Sequence, residues 1–152
     1  MTCTRGNIDN LYFVRWIRPE VSDAVAIVED VRALRRSAEQ PLHYFAIIGP
    51  DVDPPGDEVR ASMKESIDDL LQHCATVHLV IEGKGFRRAM ARSIGTGIFL
   101  LSKNRGRTFA HDRVEDALAR AGLSSAEVTS VRTEAASRGL LNEDSGEAAP
   151  LH

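Results

Sequence analysis

Three short apolar runs rich in β-branched and aromatic residues punctuate this chain: LYFVRWI at 11–17, HYFAII at 43–48 and TVHLVI at 76–81. Between them the apolar residues recur at steps of three and four. A period near 3.6 marks a helix with one buried face, and a dense run of branched and aromatic residues marks a strand. The second and third runs are almost continuously apolar, which suits central strands covered on both faces. Alternation of this kind predicts an α/β domain with right-handed crossovers and a four- to five-stranded, mostly parallel sheet with helices packed against it.

The helices follow from their stripes. Val21, Ala24, Val25, Ile27, Val28, Val31 and Leu34 predict a first helix, capped by Ser22 or Asp23 and ending near residue 37. Val59, Met63, Ile67, Leu70 and Leu71 predict a second over 58–73. Phe86, Met90, Ile94, Ile98 and Leu101 predict a third over 86–102. Gly95 and Gly97 would each weaken an exposed helix by about 1 kcal/mol relative to alanine, so they point to close backbone packing. Thr108, Phe109 and Ala110 read as a short strand, and 112–121 as a short helix stopped by Gly122. At the N-terminus, residues 2–5 are expected to pair back as a hairpin. Arg5, Gly6 and Asn7, and then Asp9 and Asn10, read as turn residues.

Beyond Gly122 the character changes. Ser124 with Glu127 three residues on is a capping-box pattern, and Val128, Val131 and Ala135 share one side of the helix it opens. Residues 1–122 are therefore expected to form the α/β domain, 123–141 a helical extension and 142–152 a small, acidic, disordered tail. The extension either folds back over its own domain or offers a surface for homodimerisation.

The 152 residues favour one domain with a real hydrophobic core. A net charge of -3 gives no global argument for nucleic acid, whose binding rests on phosphate neutralisation. Cys3 and Cys74 form neither a CxxC pair nor a metal-ligand spacing and read as reduced thiols. Residues 1–5 hold no apolar signal core, and the greasiest stretch, 94–101, is too short to span a bilayer. The expectation is a cytoplasmic protein without cofactor or metal.

In parallel sheets, ligands and partners meet the carboxyl ends of the strands. Loops 18–22, 49–57 and 82–85 should converge there. The last runs Glu82-Gly83-Lys84-Gly85-Phe86-Arg87-Arg88, a strand feeding a glycine turn that opens a helix. Free amides at a helix start attract anions, and Lys84, Arg87 and Arg88 would add charge. The pattern is not a P-loop, so a plain strand-to-helix turn with solvated arginines stays open beside anion, nucleotide or lipid-headgroup binding. With Arg92, Lys103, Arg105 and Arg107 the stretch 84–107 holds seven basic side chains and only Glu82 close by as an acid. The alternatives are a surface for an acidic partner, a lipid headgroup or nucleic acid, and a solvated helix face; the stretch has no interleaved aromatics, which counts against base stacking. Asp51, Asp53, Asp57 and Glu58 make an acidic loop whose carboxylates could suit Mg²⁺ or Ca²⁺, but it lacks EF-hand spacing, and an ordinary loop stiffened by Pro54 and Pro55 is the favoured reading. Among the five histidines, His43 and His78 fall at matching places near two strands, and read as structural. No acid, base and nucleophile set assembles from these residues, so an enzyme with a dispersed site is the last of the readings.

The order of elements, with the N-terminal hairpin and the chain's size, resembles the STAS domain, the fold of bacterial anti-sigma-factor antagonists. The resemblance covers roughly residues 1–122. Residues 43–48, the following loop and the helix at 58–73 are similar in order to that family's switch region; residues 76–81 with Gly83 and Gly85 are similar to its next strand and turn. It implies a non-enzymatic signalling module that binds a regulator or kinase-like protein. Members often carry a phosphorylated hydroxyl at the second helix start, in an Asp-x-Ser-Gly-like stretch. Here that place reads Asp53-Pro54-Pro55-Gly56-Asp57, and Ser62 and Ser66 follow a turn or more later. The expectation is thus a protein-binding module without the usual phospho-acceptor, with Asp53, Asp57, Glu58 and Ser62 near its partner surface.

Overall fold

The computed structural model describes residues 2–100 and 105–141. Lys103 of the basic stretch and the expected tail at 142–152 lie outside the described residues. The elements run β1 (Cys3–Ile8), β2 (Leu11–Trp16), α1 (Val21–Ser37), β3 (Leu42–Ile48), α2 (Asp57–Leu70), β4 (Cys74–Ile81) and α3 (Gly85–Leu100). A single 3-10 turn, Arg105–Arg107, leads to β5 (Thr108–His111), α4 (Val114–Arg120) and α5 (Ser125–Ser137). The strands form one mixed sheet in the order β1-β2-β3-β4-β5. The first pairing is antiparallel and the other three are parallel.

That strand order fixes the layers. Each parallel strand is laid beside the last in one direction, so right-handed crossovers put α1, α2 and α3 on one face. Tyr12, Val14, Trp16, Tyr44, Ala46 and Val77 line this face and pack with Ile27, Val28, Val31, Ile67 and Leu70. The other face carries Phe13, Phe45, Ile47 and Val80, the alternate residues of the same strands. Among the described residues no helix before β5 covers it. The chain closes it afterwards with Val114, Ala117 and Leu118 of α4, Ala135 of α5, and Leu140 and Leu141 beyond it.

Several boundaries differ from the sequence reading for local reasons. Arg5, Gly6 and Asn7 are strand, not turn, since every residue of β1 has a partner on β2. The turn is Asp9–Asn10 alone, with Asp9 at φ 50, a left-handed conformation that aspartate tolerates. Glu20, not Ser22 or Asp23, caps α1: its side chain accepts from the Asp23 amide while the Asp23 carboxylate accepts from its own. Thr2 Oγ1 also donates to Asp23, at 2.7 Å. The second helix stops at Leu70, short of the expected 73, and Cys74 is the buried first residue of β4. Arg107 holds this corner, donating to the carbonyls of Cys74 (3.1 Å) and Leu71 (3.0 Å). Ser124 and Glu127 form the capping box that their spacing predicts.

Candidate functional site: an apolar cleft at the strand ends

The loops after β2 and β3 meet over the first face, and α3 closes the third side. Pro19 and Glu20, then Val52, Asp53, Pro54 and Pro55, then Val59, Ser62, Met63 and Ser66 of α2, and Ala91, Ile94 and Gly95 of α3 surround a cleft whose floor includes Trp16, Tyr44, Ala46 and Leu79. Its walls are almost wholly apolar and its volume is about 100 Å³. That is below the roughly 150 Å³ that accepts a benzene ring and far below a pocket of about 300–1,000 Å³ for a whole small molecule.

Two glycines shape it. A Cβ on Gly95 would collide with Leu79 Cδ2, so any other residue here needs the tip of the Leu79 side chain to move aside. Gly97 has nothing near it; close packing explains one of the two glycines and not the other. Gly83, at φ +98, lies against Pro50, which joins the loop after β4 to the loop after β3. The Glu82 amide also donates to the Ile48 carbonyl at 2.9 Å.

The structure separates the predicted site residues into three groups. Asp53 and Ser62 line the cleft. Ser66 lines it too, but its hydroxyl donates back to the Ser62 carbonyl at 2.8 Å. Asp57 and Glu58 occupy the exposed first turn of α2, where acids suit the helix dipole, and Asp57 pairs with Arg60 at 3.3 Å. Among the described residues no group of acids, histidines and cysteines has metal-binding geometry.

At the third loop, Gly83, Lys84 and Gly85 are exposed, with both glycines at positive φ. Arg88 is not turned to this loop as a solvated cation. It bonds the Ile81 carbonyl at 3.3 Å and pairs with Asp112, which also takes Arg92. The side chains of Arg87 and Arg105 lie outside what is described. Of the seven basic groups, Arg88, Arg92 and Arg107 are thus engaged in holding α3, β5 and the start of β4. The sequence reading missed Asp112 as their acid because it lies 20 and 24 positions away from Arg92 and Arg88. Only the parallel pairing of β4 with β5 brings it back.

A second arrangement lies on the opposite face. Phe13, Phe45, His78 and Phe109 stack across four neighbouring strands, with centroids 5.0, 4.9 and 5.3 Å apart. Arg120 caps the row, 4.5 Å from the Phe109 ring centre. His78 is wholly buried. Its Nε2 meets Thr76 Oγ1 at 2.8 Å and its Nδ1 meets His111 Nε2 at 3.0 Å; Thr76 Oγ1 in turn meets His43 Nδ1 at 2.6 Å. Burial lowers the pKa of all three rings, that of His78 to about 3, with the neighbouring His111 and His43 next in effect. The matching positions of His43 and His78 were legible in the sequence. Thr76 and His111, which complete the chain, became visible only through strand register.

Among the described residues no helix is long and apolar enough to cross a membrane. Comparison with protein-family models, with curated proteins and with solved structures found no match to this chain.

Proposed function

We propose that this chain is a STAS-like, non-enzymatic regulatory module that binds another protein at the carboxyl edge of its sheet, with one or two apolar side chains of that partner entering the cleft between α2 and α3. The observation that carries this reading is the cleft's character: apolar walls around about 100 Å³, set among three loops and the exposed acidic start of α2. A space of that size suits a side-chain anchor rather than a metabolite, and anchors seated in such pockets dominate the energy of many interfaces. Asp53, Asp57 and Glu58 give the rim a negative sign, so a partner with basic residues flanking its anchor fits best. The place of the usual phospho-acceptor is held by Pro54, Pro55 and Gly56, so binding here is not gated by a phosphate at that position.

The test is cross-linking in native cells followed by mass spectrometry, comparing the wild type with Val59→Lys and Ile94→Lys, both partly buried at the cleft. A partner cross-linked to α2 should be lost in both variants while their melting temperatures stay close to the wild type. Undiminished cross-links in both would end the proposal. A thermal-shift series with inorganic phosphate, nucleotides and anionic vesicles, repeated on Lys84→Ala, covers anion binding at residues 83–88. A saturable shift abolished by that substitution would favour a ligand-binding role instead.

A further inference from the structure

The face opposite the cleft holds three histidines and a threonine in an unbroken line, and the ordinary demands of folding do not call for it. A core strand position next to Phe45 and Phe109 is filled more cheaply by an apolar residue, since burying a polar group costs free energy unless every bond is made. Here every bond in the line is made, and the line is poised in a particular way.

Each of the three contacts needs one hydrogen. When all three rings are neutral, His78 donates from one nitrogen and accepts at the other, and the Thr76 hydroxyl passes the direction on. Two arrangements satisfy the line equally: donors running from His43 towards His111, or from His111 towards His43. One added proton at either end is absorbed by selecting the direction that starts there. A second is not. With His43 and His111 both charged, Thr76 must accept from both His43 and His78, and its own hydrogen has no acceptor within the line. Two positive rings then flank a wholly buried imidazole. The charged groups around them divide by element. Arg120 of α4 and Arg92 of α3 oppose a further positive charge at His111, while Asp116 of α4 favours it. His43, His111 and Arg120 all oppose charge on His78, and among the described residues no carboxylate offsets them there.

We infer that His43, Thr76, His78 and His111 form an acid-sensitive latch that holds β5 and α4 on the sheet when the rings are neutral and releases this edge when the line takes up more than one proton. β5 is the shorter of the sheet's two edge strands. It has four residues and, among the described residues, pairs with β4 alone. Asp112, directly after His111, anchors Arg88 and Arg92, so release of β5 reaches α3 and the wall of the cleft.

The direction with pH follows from linkage. The folded pKa of His78 lies below its ordinary 6.5, so its contribution is complete above pH 6.5 and is lost as the pH falls towards about 3. If opening exposes His78 fully, the opening equilibrium at pH 5 rises about thirtyfold over its value at neutral pH from this ring alone.

Hydrogen exchange of the β5 amides, compared as protection factors at pH 7.5 and pH 5, tests the latch alongside ring-nitrogen NMR of the three histidines. In the wild type, β5 should lose about thirtyfold in protection while β2 and β3 change little. His78→Phe keeps the ring stack and should remove the pH response. His111→Gln, which carries no titrating ring, should reduce it. An unchanged pH response in His78→Phe, or an equal loss across all strands, overturns the latch. Should His78→Phe not fold, the wild-type spectra decide: His78 taking a proton near pH 6.5 with β5 protection intact also overturns it.

Discussion

The two faces of the sheet are built from alternate residues of the same strands, yet they are filled in opposite ways. One face carries Tyr12, Tyr44 and Val77 under α1 and α2, and leaves a cleft where α3 approaches. The other carries Phe13, Phe45 and His78, stacks them ring on ring, and closes over them with α4, α5 and the Leu140–Leu141 pair. The difference comes from connectivity. The crossover helices must start and end at strand ends, so their spacing is set by the loops and not by the face they cover. The helices that follow β5 are free of that constraint and can settle where they bury most. The face covered by crossovers keeps an apolar cleft at the strand ends. The face covered last is tight at its ring stack, and its more polar hollow of about 440 Å³ lies away from the stack, beside the Asp9–Asn10 turn, His43 and Val131.

The largest expected effect breaks the tight face. A chain ending at residue 122 loses Ala135, Leu140 and Leu141, which are at most 2% exposed, and uncovers Ile8, Leu11 and Phe13. At about 1.5–3 kcal/mol for each large buried side chain, the loss is at least ~4 kcal/mol, enough to abolish folding in many small domains. Urea denaturation of the truncated and full chains measures it. A truncated domain as stable as the full one would mean that α5 is an appendage and that the two faces do not differ as described.

A smaller effect sharpens the open face. Gly95→Leu forces a side chain into Leu79 and the cleft beside it. Overpacking of this kind costs about 1–3 kcal/mol, and it should abolish partner cross-linking even if the domain still folds. Retained cross-linking would place the partner elsewhere. The smallest effect concerns the tie between the faces. Asp112→Ala releases both Arg88 and Arg92; because Asp112 and Arg92 are about half exposed, the cost is at most about 1 kcal/mol in global stability. The α3 amides should nonetheless exchange faster, since this ion pair joins α3 to the β5–α4 corner. Unchanged exchange would show that Gly95 packing alone holds the helix.

Much of this was written in local patterns. The apolar runs at 11–17, 43–48 and 76–81 needed only the physics of a covered pleated strand to be recognised. Ser124 and Glu127 needed only their spacing to declare a helix start. Gly95 announced a close approach because a glycine inside a helix is otherwise a loss. In each case the determining interaction lies within one turn or one strand. The β1 residues Arg5, Gly6 and Asn7 misled for the converse reason. Their turn preference is worth little against a full set of strand pairings, and the pairings depend on a distant partner.

What the sequence by itself determined is the α/β class, the order of the main elements and which loops follow the carboxyl ends of the parallel strands. What only the tertiary structure decided is which residues stand beside one another across strands. The parallel register puts Asp112 against Arg88 and Arg92, which occupies two charges of the basic stretch. The same register lines up His43, Thr76, His78 and His111. Strand pairing joins residues 33 positions apart at 2.6 and 3.0 Å, and no periodicity within one segment carries that information. It is set by the packing of whole strands and helices, where one residue of slippage would send every side chain to the other face.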